Sequence, residues 1–327
     1  MSSSYKSILI LLLALLVSCE RDNINQPVDD GLPPASPAAL NMFRERDGEI
    51  GIEWLKNSEP DFKLFRIYRS INSDANPTLI DSTFDEFYID YYLEYDSTYY
   101  YWISAVDTYN RESDLSGPII GQPKNLYSPD APYMIEINAR NWDEPKIHLF
   151  WYPVENTDLA GYKIYRDTTA DFTTSEENYI GLSETNEFDD TTNLELLTEY
   201  FYRIRAVDKG NLTSFSSGAV SDILLNKPDL VFPTDNSLVE PFSQFQIKTV
   251  SEPTIYKIVI QSNELYGIVG ELTFSSDVTD SVVAINFNSS ELEGYKKYYW
   301  RVYTYTSSYR DPNSFSPLQS FSVKSGF

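Results

Sequence analysis

Histidine and cysteine occur once each in 327 residues, and 25 basic residues face 49 acidic ones. A single thiol cannot close a disulfide within the chain. One Cys and one His also supply neither a Cys-based metal site nor a metal-binding His pair. The net charge of −24 leaves no basic stripe to neutralise phosphates, which argues against nucleic acid as a partner. The acidity itself reads as solubility and self-repulsion. Gly-x-Ser-x-Gly and phosphate-loop motifs are missing, as is any long segment of 3.6-residue periodicity. His148 lies between Ile147 and Leu149, which are expected to point inward, so its ring belongs on an outer sheet face and is read as inert. With 49 acidic residues, pairs of carboxylates carry no information about catalysis, and the chain is expected not to be an enzyme.

An apolar fraction of 42% with 26 Tyr and 18 Phe is enough to build cores, and it favours strands over helices. The length predicts two or three domains. The one uninterrupted apolar run, Ile8 to Val17, is too short to span a bilayer of about 30 Å, so it reads as a signal-peptide core. It ends in Leu16-Val17-Ser18-Cys19, which resembles a bacterial lipobox, with the chain's only cysteine at the position the motif requires. The alternative is a plain secretory signal with an incidental Cys. The resemblance implies cleavage before Cys19, a thioether-linked diacylglycerol on it, and acylation of its new amine. Residues 1–18 are therefore expected to be a signal peptide. Residues 19–32, polar and Pro-rich, are expected to be a lipidated disordered tether. Several acyl chains, at about 0.8 kcal/mol per buried CH₂, hold a protein stably on a membrane. The expected location is a bacterial membrane, the outer one, on its periplasmic or cell-surface side.

The rest of the chain repeats itself. "YYYWISAVD" at 99–107 returns as "YFYRIRAVD" at 200–208. Upstream, "EIGIEW" ends at Trp54 and "KIHLFW" at Trp151, and eleven residues after each Trp come Phe65-Arg-Ile67 and Tyr162-Lys-Ile164. Leu93 and Leu194 stand six residues before Tyr99 and Tyr200. Gly117 and Gly218 follow the closing Asp by ten. A third copy has Phe245 for the Trp, then Tyr256-Lys-Ile258, Leu292 and "YYWRVYT" at 298–304. So many matched spacings mark an internal duplication. Pro-rich joints at 121–132 and 226–233 suggest units that unfold separately.

Each copy carries short period-2 runs spaced by turn residues, which predicts an all-β sandwich. The pattern resembles the fibronectin type III family, with its Trp on strand B, aromatic-x-aliphatic on strand C, and Leu-x5-Tyr-x-aromatic-x-aliphatic-x-Ala entering strand F. The Pro common two residues after that Leu is replaced by Tyr95, Leu196 and Gly294. The third copy also lacks the strand-B Trp and the Ala. The expected architecture is three tandem immunoglobulin-like, fibronectin type III sandwiches at 33–123, 129–227 and 228–327. The resemblance implies that the first Tyr of strand F makes the corner hydrogen bond that ties the sheets.

Two constellations are candidates for function. Asp61 and Asp158 fall seven residues after the strand-B Trp, and Asp107 and Asp208 end strand F. In this fold the B–C and F–G loops share one end, so each pair is either a Ca²⁺ site or a set of caps on loop amides. Two carboxylates fall short of a calcium shell, which favours capping, and no other cofactor is implied. Tyr68, Tyr100 and Trp102 should share the exposed face of the first copy as a ligand platform, and Tyr299, Tyr303 and Tyr305 that of the third. Ordinary cross-strand packing is the competing reading. The expectation is a membrane-anchored surface lipoprotein acting as a non-catalytic binding or scaffolding module, with an unidentified protein or polysaccharide partner. The alternative is a glycan-binding accessory lipoprotein of a polysaccharide-uptake system. It resembles the tandem-sandwich lipoproteins of starch utilisation in overall plan, without a shared motif.

Overall fold

A computed structural model describes residues 29–308 and 310–325. Cys19, the signal segment and most of the tether lie outside the described residues. Among the described residues no helix is long and apolar enough to cross a membrane.

The first copy contributes β1 (Asn41–Arg46), β2 (Glu49–Glu53), β3 (Phe62–Ile71), β4 (Thr78–Thr83), β5 (Phe87–Asp90), β6 (Tyr99–Asp107) and β7 (Ile119–Gly121). They form sheets ordered β1-β2-β5 and β4-β3-β6-β7. The second copy repeats this with β8 (Glu136–Asn141), β9 (Pro145–Phe150), β10 (Leu159–Asp167), β11 (Tyr179–Ser183), β12 (Glu187–Asp190), β13 (Glu199–Asp208) and β14 (Val220–Ile223). The third has β15 (Asp229–Phe232), β16 (Ser237–Val239), β17 (Gln244–Lys248), β18 (Thr254–Gln261), β19 (Ile268–Ser276), β20 (Val282–Asn286), β21 (Lys297–Tyr305), β22 (Ser314–Phe315) and β23 (Gln319–Val323). The all-β sandwich expected from the period-2 runs is what forms.

Alternation decides which residues enter the core. In β13, Tyr200, Tyr202, Ile204 and Ala206 are buried, while Phe201, Arg203 and Arg205 are half-buried on the other face. Trp151 is fully buried among them, its ring edge-on to Tyr162 at 5.1 Å. Trp54 meets Phe65 in the same way at 5.2 Å. In the third copy the tryptophan has moved from strand B to strand F. Phe245 fills the old place and packs 4.7 Å from Trp300, so the core keeps its large aromatic pair. The tyrosine corner is present where the family pattern implies it: the amide of Glu195 donates to the Tyr200 hydroxyl at 2.9 Å, and that of Glu293 to Tyr298 at 2.9 Å.

Two recurring polar devices were not legible as repeats. The first is a buried carboxylate bridging Tyr and Arg. Asp90 accepts from the Tyr101 hydroxyl at 2.7 Å and pairs with Arg69 at 2.8 Å. Asp190 does the same with Tyr202 at 2.8 Å and Arg166 at 2.7 Å. The second is a serine ring along strand F. The amide of Ser217 donates to the Ile204 carbonyl while its hydroxyl accepts from the Ile204 amide, both at 2.9 Å. Ser113 with Ala105, Ser116 with Ile103, Ser214 with Ala206 and Ser316 with Val302 repeat that exchange.

Among the described residues, contacts divide the chain into two compact units, residues 29–45, 50–90 and 96–122 in one, and 46–49, 91–95, 123–308 and 310–325 in the other. The second and third copies fall in one unit, although the Pro-rich joint between them suggested units that unfold separately. The reason is Asn313, fully buried. Its carbonyl accepts from the Asn141 amide at 2.6 Å, and its side chain bonds the Leu225 amide at 2.8 Å and the Ile223 carbonyl at 2.7 Å. Beside it Ser314 pairs with Asn141, joining β22 to β8 and running the two sheets into one. Trp151→Ala should cost about 3–5 kcal/mol through the cavity it leaves. Calorimetry should show the transitions of residues 129–227 and 228–327 shifting together, with that of the first unit unmoved.

Candidate functional site

Each of the four aspartates stands at a loop end, and all four are buried: Asp61 just before β3, Asp158 just before β10, Asp107 and Asp208 as the last residues of β6 and β13. Two of the four, Asp107 and Asp208, cap loop amides. The amides of Tyr109 and Arg111 donate to Asp107 Oδ1 at 2.8 Å each, and that of Leu212 to Asp208 Oδ1 at 2.8 Å. The loops carry one left-handed residue apiece, Asn110 and Asn211, a conformation asparagine tolerates better than most side chains.

The two ends differ in charge. In the first copy Arg111 Nε lies 2.6 Å from Asp107, and the same guanidinium reaches Asp61 at 3.6 Å and bonds Asp29. Asp29, Asp30 and Asp61 bring carboxylate oxygens within 4.8 Å of one another, a grouping able to hold a metal, and Arg111 is already paired with two of the three. The guanidinium hydrogen bond and those of the loop amides hold the Asp107 carboxyl below the usual carboxylate range against the cost of burial. In the second copy the residue four past the closing Asp is Leu212, which has no charge to offer. Burial pushes the Asp158 carboxyl above its usual range; the Tyr95 hydroxyl bond opposes this, and the like charges of Asp208 and Asp47 add to it. Asp158 Oδ1 and Asp208 Oδ2 are buried with no hydrogen-bond partner.

The aromatic platform of the first copy is corrected at Trp102. Tyr68, Tyr100 and Trp102 do share a face: Tyr68 registers with Trp102 across β3 and β6, and the Tyr100 ring stacks on Trp102 at 6.3 Å. That packing leaves Trp102 only 7% exposed. The Tyr68 hydroxyl donates to Glu112 at 2.5 Å, as does Ser104, and Arg66 pairs with the same carboxylate. In the third copy Tyr299, Tyr303 and Tyr305 are half-buried on the outer face. The stacked aromatics that stand open are Tyr133 and Tyr152, at 5.9 Å and 57% and 51% exposed. They flank β8 and β9 outside any repeat motif, so spacing alone could not single them out.

His148 is on the outer face as expected, its Nδ1 2.7 Å from Asp189. It lines a groove of about 740 Å³ with Glu136, Arg140, Phe150, Ser221 and Arg310. The groove's cations are already matched within the chain: Arg310 with Asp222 at 2.9 Å, Arg140 with Asp311 at 2.7 Å.

Because the Asp158 carboxyl titrates higher folded than unfolded, it makes no difference where both states are protonated. As pH rises from the ordinary Asp range through the raised folded value, the unfolded state ionises first, and stability falls. Urea unfolding from about pH 4 to 7 should show that decline in the wild type and a flatter profile in Asp158→Asn.

No family model and no curated protein matches the chain. Among solved structures it is similar to the chicken CNTN1 FN1-FN3 domains, at 12% identity over 89% of this chain and 99% of that one, with a TM-score of 0.35.

Proposed function

We propose that the chain is a lipid-anchored surface protein of a bacterial outer membrane, working as a non-catalytic binding or scaffolding module. The observation that carries this reading is the lone cysteine at the end of Leu16-Val17-Ser18-Cys19, ahead of a polar tether and a row of β-sandwiches. The composition of the copies agrees with it. Residues repeated between them serve the core, the tyrosine corner or buried polar bridges, which is what an architectural repeat needs. Two or more acyl chains on Cys19 would hold the sandwiches at the membrane surface, with the tether setting their reach. Labelled palmitate should enter the wild type and be lost in Cys19→Ser, which should also partition into the soluble fraction. A Cys19→Ser protein that stays membrane-bound would defeat the anchor.

A glycan-binding role is the second reading, favoured by one observation: Tyr133 and Tyr152 form a stacked, open aromatic pair, and sugar rings pack on such faces. Polysaccharide binding lost in Tyr152→Ala, with the melting temperature unchanged, would support it. Binding that survives both Tyr152→Ala and Tyr133→Ala would remove it.

A further inference from the structure

The two copies place the same pair of aspartates at the same loop end, yet only one pair has a counterion. In the first copy Arg111 bonds Asp107 at 2.6 Å and forms an ion pair with Asp61 at 3.6 Å, supplying charge to both although Asp61 Oδ2 has no hydrogen-bond partner. In the second, Asp158 and Asp208 are fully buried, each has an oxygen with no partner, and the position of Arg111 is Leu212. Ionised carboxylates only accept hydrogen bonds, so another acceptor cannot satisfy these oxygens. Buried anions without a cation are costly to hold. The surroundings add negative charge. Asp47, on the tight turn at 46–49, belongs to the same compact unit and acts on Asp158 as a like charge. The turn is seated closely: a Cβ on Gly48, at φ +72°, would come 3.1 Å from the Asp158 Cβ, and the Thr157 hydroxyl donates to the Asp47 carbonyl at 3.0 Å. The Tyr95 hydroxyl, from segment 91–95 of that unit, donates to Asp158 Oδ2.

We propose that Asp158 and Asp208 hold a hard divalent cation, of which Ca²⁺ suits the site, in the place that Arg111 fills in the first copy. Two unpartnered carboxylate oxygens, buried at neighbouring loop ends, are the donor type such ions take. Irregular loops suit the flexible calcium shell better than the rigid octahedron of Mg²⁺. Two carboxylates supply a minority of the roughly six to eight oxygens of a calcium shell, so the site belongs to the weak class of extracellular modules, about 0.1–1 mM. The inference is independent of the lipid anchor.

Tyr95 provides a built-in probe, since a tyrosine bonded to a ligating carboxylate can sensitise Tb³⁺ emission. The full chain should show Tyr-excited Tb³⁺ emission that Ca²⁺ competes away, and its melting temperature should rise with Ca²⁺. Asp208→Asn, which keeps the side chain's shape, should lose both responses while Asp61→Asn keeps them. Leu212→Arg should also lose both, and in EDTA it should melt above the wild type because it brings its own cation. No emission and no shift at about 10 mM Ca²⁺, well above the weak class, would overturn the proposal. Emission that persists in the Asp158→Asn, Asp208→Asn double variant would also overturn it, by placing the ion elsewhere.

Discussion

Each sandwich depends on one long strand whose backbone must be hydrogen-bonded on both sides. β6, β13 and β21 pair along most of their length with β3, β10 and β18. On the other side a short strand covers only their first few residues, such as Tyr99 to Tyr101 by β7 and Glu199 to Tyr202 by β14. Beyond that point the strand is buried, and an unpaired amide there costs about 1–3 kcal/mol. Serines close the gap. One residue answers both the N–H and the C=O of its partner, first at Ile103 or Ile204 and then two residues on at Ala105 or Ala206. The spacing Ser-x-x-Ser, at 113–116 and 214–217, therefore runs the F–G segment alongside the strand at a fixed distance. The aspartate that ends the strand is held at the loop as a consequence.

The buried carboxylate of the first two copies depends on the same strand. Tyr101 and Tyr202 are the third residues of the strand-F pattern, and their hydroxyls meet Asp90 and Asp190 inside the sandwich. Burial, reinforced by the charge of that carboxylate, pushes both phenols above their usual range, so they stay donors at any physiological pH. Arg69 and Arg166 supply the compensating charge, which offsets the cost of burying the carboxylate. The third copy has Trp300 where the tyrosine stood, so the polar bridge and the strand-B tryptophan are lost together. Phe245 and Trp300 replace them with an apolar aromatic pair of similar bulk.

What the sequence made legible follows one rule: period-2 alternation reports which residues enter a core. Trp54, Phe65, Ile67, Tyr101, Trp151, Ile164, Tyr202, Phe245 and Val302 are all inside for that reason. The rule says nothing about how far an outward residue is covered, so Trp102 looked open and is not. Nor does it see partners distant in sequence. Asp90 lies 21 residues from Arg69, Asn313 lies 88 from Leu225, and the bridge that joins two copies into one unit is made of such pairs. The aspartates at the loop ends were found because their spacing repeats. The difference between their settings was present in the sequence as Arg111 against Leu212, but it gains meaning only once the guanidinium is seen lying on both carboxylates of the first pair.

A duplicated chain is its own control, because the same backbone position can be compared under two sets of side chains. Where the copies agree, as at the strand-F tyrosines and serines, the position is demanded by core closure and hydrogen-bond satisfaction. Where they differ at a buried position, the difference must be matched locally or it destabilises that copy. The change from Tyr202 to Trp300 is matched by Phe245 in place of Trp151. Leu212 in place of Arg111 is not matched within the second copy: its aspartates remain buried and its loop is still capped by Asp208, yet the positive charge is gone. Asp158 Oδ1 and Asp208 Oδ2 are left buried without a hydrogen-bond partner, and buried polar atoms in that state are costly unless something from outside the chain pairs with them.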